Sequence, residues 1–153
     1  MKKKALVGIA LGVIMVTSAA GAFNFPKDTS KIRDIEQERE QKLDVIDKAA
    51  RSWQQGLIDQ TQFTAVIDQS IVDTDALREE YLSLNPPQKY DKYKSLSIDS
   101  LDKQREAFLK LREYVLAKDT PTGLSIRADF ERLMTKSFEY RDEARKELGN
   151  IEG

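Results

Sequence analysis

NPPQKYDKYKSLSIDSLDKQREAFLKLREYVLA, residues 85–117, is the stretch that decides the fold. It opens with a helix-start signal, because Asn85 can cap a helix and Pro86 suits the first helical position. Apolar and small polar residues then recur at alternating steps of three and four, which indicates one face of a long α-helix. A helix of this length with one apolar side needs partner helices. Its apolar face holds Tyr90, Tyr93, Ser97, Leu101, Gln104, Phe108, Leu111 and Val115.

Three further stretches show the same helical periodicity, separated by short turn-like segments. We predict helices over residues 31–55, 60–84, 86–117 and 122–148, followed by a tail at 149–153. Gly56 and Gly149 are predicted to end the first and fourth helices, and Asp59 with Gln62 to cap the second. Short connections favour antiparallel neighbours. The predicted fold is therefore all-α, an up-down-up-down antiparallel four-helix bundle over residues 31–148.

Residues 1–22, MKKKALVGIALGVIMVTSAAGA, have a basic start, an apolar run and a small-residue end. This pattern is typical of a secretory signal peptide, and residues 20–22 (AGA) fit the cleavage site, with residues 18–20 (SAA) as the alternative. The alternative is a retained signal-anchor, which would contact the membrane through residues 5–23. Residues 23–30 are interpreted as a linker. Both forms predict export across the cytoplasmic membrane, as a soluble periplasmic or extracellular protein or as an N-terminally anchored one.

The absence of two residue types says more about function than any motif in the sequence does. The chain of 153 residues contains no Cys and no His. Zinc and haem sites of the usual kinds, and the common Ser–His and Cys–His nucleophile arrangements, need one or both types. We therefore predict a non-enzymatic protein with no catalytic residue, no cofactor and no metal site.

The charge balance does not favour nucleic acid as a partner. The chain carries 25 Lys and Arg against 26 Asp and Glu, a net charge of −1. Residues 1–22 hold three of the lysines and no acid, so the rest has 22 basic against 26 acidic side chains, a net charge of −4. Nucleic-acid binding usually needs a basic face, and none emerges here.

Two short motifs match part of a functional pattern and lack the rest of it. Residues 100–103 (SLDK) match the Ser-x-x-Lys of penicillin-recognising enzymes, without their other signatures. Residues 73–75 (DTD) begin like a calcium loop, but no Gly follows at the sixth position. We interpret both as parts of helix faces.

Five residues are candidates for contact with a partner. Arg39 stands where the apolar stripe of the first helix should continue, so we interpret that part as a solvated helix, with a docking surface as the alternative. Tyrosines near the end where the chain enters are predicted to pack in the core, with an interfacial or partner site as the alternative. The five candidates are Arg39, Tyr81, Tyr90, Tyr93 and Tyr140. Phe23, Phe25 and Phe138 are predicted at the same end, and Trp53, Phe63, Phe108, Tyr114 and Phe130 at the opposite end.

The predicted function is that of a binding or scaffold protein with a protein partner, as a small subunit of a membrane or envelope complex. One alternative is a periplasmic-type chaperone or stress protein. Residues 60–63 (QTQF) and 63–69 (FTAVIDQ) resemble the L-T-x-x-Q segments of small periplasmic helical chaperones, without the leading Leu-Thr. The other alternative is a bundle that binds a small ligand at polar positions on its apolar stripes. Those positions are Ser70, Thr74, Ser97 and Gln104.

Overall fold

Four helices make up the described part of the protein, in the order of the four predicted stripes. The computed structural model describes residues 30–152, and none of these forms a strand. The predicted leader at 1–22 and the linker before Ser30 lie outside the described residues. The prediction of an all-α helical bundle is confirmed. The helices are α1 Ser30–Gln54, α2 Gln60–Ser83, α3 Asp91–Ala117 and α4 Pro121–Glu152, with a 3-10 turn at Gln88–Tyr90 before α3.

Successive helices run antiparallel, as the side-chain pairs between α2 and α3 show. Arg78 Nε lies 2.6 Å from Asp102 Oδ1, and Arg112 Nε lies 2.7 Å from Asp68 Oδ1. As the residue number increases along α3, the residue number of its partner on α2 therefore decreases. We call the end that holds the start of α1 and the end of α4 the near end. The far end holds the α1–α2 and α3–α4 turns.

Among neighbouring helices, the first and the last are the most widely separated. Cα atoms of α3 come within 8 Å of α2 and of α4, and Cα atoms of α1 come within 8 Å of α2. In residues 30–152, no Cα atom of α1 comes that close to α4. Long side chains cross this α1–α4 seam instead: Arg141 Nη2 of α4 lies 3.3 Å from Glu36 Oε2 of α1.

The α1–α2 connection has the chemistry that the sequence predicted. Gly56 adopts φ 76°, and the N–H of Leu57 donates to Ser52 O at 2.8 Å, which closes the helix with a left-handed residue. At the start of α2, the Asp59 carboxylate accepts from Gln62 N at 2.8 Å, and Gln62 Oε1 accepts from Asp59 N at 2.9 Å. This reciprocal pair is a capping box, so both predicted helix ends are confirmed.

The start of α3 differs from the prediction. The helix begins at Asp91 after the 3-10 turn, not at Pro86, and Asn85 caps no helix. The backbone is extended at Leu84, with ψ 139°, and at Pro87, with ψ 149°. A residue that precedes a proline is disfavoured in the α region. Because Pro86 precedes Pro87, it is held out of the helical conformation and the helix starts later.

The α3–α4 turn is tight enough to require a glycine. α4 begins at Pro121, which fits the first helical position because proline has no N–H to leave unpaired there. The backbone of Gly123 passes so close to the end of α3 that a Cβ atom would clash with the carbonyl oxygen of Ala117. The glycine therefore permits the close approach of the two helices at this end.

The fourth helix continues beyond its predicted end. Gly149 was predicted to stop it, but α4 runs through this residue to Glu152. Leu148 is buried in the near-end core, and Ile151 packs against the same cluster one turn later. The apolar stripe thus continues past the glycine, and this packing outweighs the low helix propensity of a single Gly.

Two apolar clusters fill the bundle, one towards each end. All five aromatic residues predicted at the far end are buried together there. Tyr81, Tyr90 and Tyr93 are buried in the near-end cluster, as predicted. Phe138 was predicted at the near end, and the structure places it in the far-end cluster. It lies near the middle of α4, one turn beyond Met134 of the same cluster, so it faces the far half of the core.

Candidate functional site

A band of buried polar side chains lies between the two apolar clusters. Each helix contributes at least two of them, at the level where its apolar stripe is interrupted. Burying a polar group costs free energy unless the group is paired. We therefore take this band as the part of the core that is the best candidate for a specific function. We call it the polar layer. Its members are Glu36, Arg39, Ser70, Thr74, Ser97, Ser100, Gln104, Ser137, Arg141 and Arg145.

Arg39 of α1 lies at the centre of the polar layer and is 0% exposed. Its Nε and Nη2 both donate to Gln104 Oε1 of α3, at 3.1 and 3.0 Å. Nη2 also donates to Ser100 Oγ of α3 at 2.8 Å and to Ser137 Oγ of α4 at 3.3 Å. One guanidinium therefore joins three helices through neutral acceptors.

A reciprocal pair of serines brings α3 and α4 together beneath Arg39. Ser100 Oγ donates to Ser137 O at 2.7 Å, and Ser137 Oγ donates to Ser100 O at 2.7 Å. Both side chains are fully buried. Small residues at this level allow the backbones of α3 and α4 to approach each other. Each serine hydroxyl then donates a hydrogen bond to a backbone oxygen of the opposite helix.

Gln104 connects the same network to α2. Its Nε2 donates to Thr74 Oγ1 at 2.9 Å, and Thr74 Oγ1 donates to Ser70 O at 2.7 Å. With this link, the hydrogen bonds that start at Arg39 reach all four helices. Two of the four side chains predicted to bind a ligand, those of Thr74 and Gln104, are thus hydrogen-bonded within the protein, and Ser70 takes part through its backbone oxygen. Ser97, the fourth, is also buried.

Glu36 lies one turn before Arg39 and carries the negative charge of the layer. Tyr81 OH donates to its Oε1 at 2.8 Å, and Tyr93 OH donates to the same atom at 3.3 Å. Burial alone would raise the pKa of Glu36, but the three nearby guanidiniums outweigh it and lower the pKa to about 2. Burial first, and then the charge of Glu36, raises the pKa of both tyrosines, so they donate as neutral phenols.

Two more arginines reach the layer from α4 across the α1–α4 seam. Arg141 Nη2 lies 3.3 Å from Glu36 Oε2 and 3.6 Å from Glu40 Oε1. Arg145 Nη2 lies 3.7 Å from Glu36 Oε2 and 3.5 Å from Glu40 Oε1. Arg141 is fully buried, whereas the side chain of Glu40 is 30% exposed at the outer edge of the seam. At the level of the polar layer, the seam is therefore closed by charged groups.

The structure brings together three of the five candidate partner residues. Arg39, Tyr81 and Tyr93 meet in or beside the polar layer. Tyr90 is buried in the near-end cluster. Tyr140 is half-buried on the outside of α4, with Lys136 Nζ 4.9 Å from its ring centroid. A partner contact through the four buried residues stays a prediction, and it would require the bundle to open.

Sequence reasoning missed several members of the layer. Neither Glu36 nor Arg141 was among the five candidate residues, although they form its innermost ion pair. The signal in the sequence was the polar interruption of all four stripes, at Arg39, Ser70 to Thr74, Ser97 to Gln104, and Ser137. In an antiparallel bundle, these interruptions fall at the same height.

Outside the layer, the described surface offers shallow grooves. One groove of about 610 Å³ lies at the near end, between the start of α1 and the end of α2. A second of about 530 Å³ lies between α3 and α4 and includes Lys103 and Lys136. Within residues 30–152, no group of three or more acidic residues is placed to hold a metal ion. None of the helices in this part of the chain is long and apolar enough to cross a membrane.

Comparisons with known proteins identified no relative of this chain. The scan against protein-family models found no match, and neither the curated proteins nor the solved structures contained one.

Proposed function

We propose that this chain is an exported, non-enzymatic binding protein that docks a protein partner through the far end of its bundle. It would act as a small subunit of a membrane or envelope complex. The observation that carries the proposal is a set of exposed leucines at that end. Leu57 is 71% exposed, Leu116 58% and Leu124 51%. We call these three residues the leucine tip.

The three leucines belong to turns that lie side by side. Leu57 follows α1, Leu116 is in the last turn of α3, and Leu124 is in the first turn of α4. Lys118 Nζ, in the α3–α4 turn, lies 5.1 Å from the ring centroid of Trp53, in the last turn of α1. This contact supports one continuous surface formed from both turns.

Burial of the leucine tip would favour association with an apolar protein surface. A fully buried leucine side chain gains roughly 1.5–3 kcal/mol relative to an exposed one. Clustered exposed apolar residues commonly mark a protein interaction site, whereas single ones need no explanation. The partner we propose therefore presents an apolar patch large enough to cover three leucines at one end of a narrow bundle.

The direction of the bundle supports a partner away from the membrane. The leader at residues 1–22 would precede α1, which begins at the near end. A helix of 25 residues is about 37 Å long at 1.5 Å per residue, and α1 has this length. If the leader is retained as an anchor, the leucine tip projects this far from the membrane. If it is cleaved, the same tip serves a soluble subunit.

The contacts in the polar layer favour surface binding over the predicted small-ligand carrier. Gln104 donates to Thr74, Thr74 donates to the backbone oxygen of Ser70, and Arg39 donates to Gln104. An organic ligand would have to break these hydrogen bonds to enter. The chaperone alternative predicts binding to many unfolded clients, whereas the proposal predicts one specific partner.

Site-specific cross-linking in the native host tests the proposal. A photo-crosslinking residue is placed at position 57, 116 or 124, and in matched strains at the exposed apolar positions 45 and 72 on the sides of the bundle. We expect one and the same partner to be captured from the tip positions only. Equal capture from the sides, or a broad set of unfolded clients, would contradict the proposal.

Binding of the purified partner then measures the contribution of the leucine tip. The combined variant Leu57→Ser, Leu116→Ser, Leu124→Ser should weaken affinity at least about tenfold, because it removes the apolar area without touching the core. The control variant Val45→Ser, Val72→Ser changes exposed apolar residues elsewhere and should bind like the wild type. Unchanged affinity of the tip variant would overturn the proposal.

A further inference from the structure

The polar layer, together with Glu40 at its edge, contains one more positive than negative side chain. The guanidiniums of Arg39, Arg141 and Arg145 face the carboxylates of Glu36 and Glu40. The other titratable groups that act on them are the hydroxyls of Tyr81 on α2 and Tyr93 on α3, which are neutral, and the carboxylate of Asp142, which acts on Arg145 from the exposed side of α4. Without this exposed carboxylate, three positive charges against two negative ones leave a net charge of +1 in the middle of the bundle.

Two of these guanidiniums also keep buried N–H groups without a protein acceptor. Among residues 30–152, Arg39 Nη1 donates to no acceptor, and Arg141 Nε and Nη1 have no acceptor either. Both side chains are almost completely buried. An unsatisfied donor of a charged group inside a protein is expensive, so these three N–H positions point to a group that accepts hydrogen bonds.

The two arginines are close neighbours. Arg39 Nη2 lies 3.3 Å from Ser137 Oγ, and Ser137 precedes Arg141 by one turn of α4. Burial, and next the charge of Arg141, lower the pKa of Arg39 to about 10. A negative charge beside both would oppose that repulsion. Its place is on the α1–α4 seam, where no Cα atoms of the two helices come within 8 Å and Glu40 is the more exposed carboxylate.

We infer that the α1–α4 seam of the polar layer binds one small monovalent anion of the halide class, held by the N–H groups of Arg39 and Arg141. One such ion neutralises the net charge of the layer and accepts the hydrogen bonds that no side chain accepts. A divalent or bulky anion would overcompensate the charge or displace the packed helices. This site is independent of the leucine tip, and either can fail without the other.

Thermal unfolding of the full chain at constant ionic strength tests the site. Replacing gluconate by chloride or bromide should raise Tm, by about 5 °C at a halide concentration about tenfold above Kd and then with the logarithm of that concentration, because the ion binds only the folded state. Gluconate is too large to enter the layer and serves as the reference anion. A Tm that depends on ionic strength alone, with no difference between the anions, would overturn the inference.

A nearly isosteric substitution distinguishes the site from general salt effects. Gln104→Glu places a third carboxylate against Arg39 Nε and Nη2, which makes the layer neutral without an ion. We expect this variant to lose the halide dependence of Tm. Gln69→Glu is the matched control: Gln69 is exposed and bonds to Asp73 at 3.0 Å, so the same chemical change there should leave the halide dependence intact. Full halide dependence in Gln104→Glu would contradict the site.

Crystals of the wild-type chain grown or soaked in bromide give a direct readout that needs no variant. The anomalous signal of bromide should show one ordered ion within about 3.5 Å of nitrogens of both arginines. Bromide only at the protein surface, or an ordered water at this position in bromide, would overturn the inference. This measurement decides the matter if Gln104→Glu does not fold.

Discussion

Gln104 Oε1 accepts two hydrogen bonds from a single guanidinium, from Arg39 Nε at 3.1 Å and from Arg39 Nη2 at 3.0 Å. Both side chains are buried, and the two residues lie 65 positions apart in the chain, on α1 and α3. The amide nitrogen of Gln104 continues the network to Thr74 at 2.9 Å. This pair is therefore the point at which the first, second and third helices are joined.

A double-mutant cycle measures the interaction between the two residues. Arg39→Met and Gln104→Leu each leave a buried polar partner unsatisfied, whereas the double variant removes both polar groups. We expect a coupling energy of about 1–3 kcal/mol from urea unfolding. The control cycle uses the exposed pair Gln69 and Asp73, whose coupling should be a few tenths of a kcal/mol. Equal coupling in the two cycles would contradict the buried network.

The pH dependence of stability follows from Glu36. Its pKa is about 2 in the folded protein, against 4.5 for an ordinary glutamate, so the folded state binds fewer protons between these values. The stabilisation is present above the unfolded pKa and is lost as the pH falls from about 5 towards 2. Its size is on the order of 3 kcal/mol.

Glu36→Gln should be less stable than the wild type at pH 7 and lose less stability on acidification. Urea unfolding at a series of pH values from 2 to 7 checks both effects. Glu113→Gln is the control, since Glu113 pairs with Lys110 at 3.2 Å on the surface. If Glu36→Gln and wild type fall in parallel below pH 5, Glu36 is not the buried anion described here.

Phe108 should act as a structural residue of the far-end core. It is buried there, so Phe108→Ala removes a ring and leaves a cavity, at a cost of roughly 3–5 kcal/mol. Lys103→Ala removes only a partly exposed pair with Glu106 at 3.2 Å and should cost a few tenths of a kcal/mol. Thermal or urea unfolding compares the two. A nearly unchanged Tm for Phe108→Ala would place this ring outside the core.

Two glycines of α4 should respond in opposite directions to the same substitution. Gly123→Ala should destabilise, because its Cβ would meet the backbone oxygen of Ala117 at the α3–α4 turn. Gly149→Ala should stabilise by about 0.5–1 kcal/mol, because it lies in a helix with nothing near its Cβ position. Unfolding measurements on the two single variants suffice. Two changes of the same sign would contradict the helix positions assigned here.

Local sequence signals were sufficient wherever a few neighbouring residues determine the structure. Gly56 and the Asp59–Gln62 capping box specify their helix ends through bonds within five residues. The apolar stripes predicted all four helices, because the residues that bury one face of a helix recur with the helical period. The start of α3 was misplaced because two local rules conflict: Pro86 favours a helix start, and the following Pro87 prevents it.

The polar layer could not be read from one helix at a time. On its own stripe, Arg39 resembles a solvated interruption, because burial of an arginine depends on acceptors from α3 and α4. Likewise, Tyr140 looks like the better core residue than Arg141, yet Arg141 is inside because Glu36 on α1 pairs with it. Such information lies in contacts between helices distant in sequence.

The exchange rate of the Arg39 Nε–H with water tests the central claim most directly, namely that a guanidinium lies in the middle of this bundle. In a ¹⁵N-labelled sample, one Nε–H signal should exchange at least about tenfold more slowly than that of the exposed Arg33, and it should vanish in Arg39→Lys. This slow exchange is expected because Gln104 Oε1 accepts that hydrogen bond inside the core. An Arg39 signal that exchanges as fast as that of Arg33 would contradict the account.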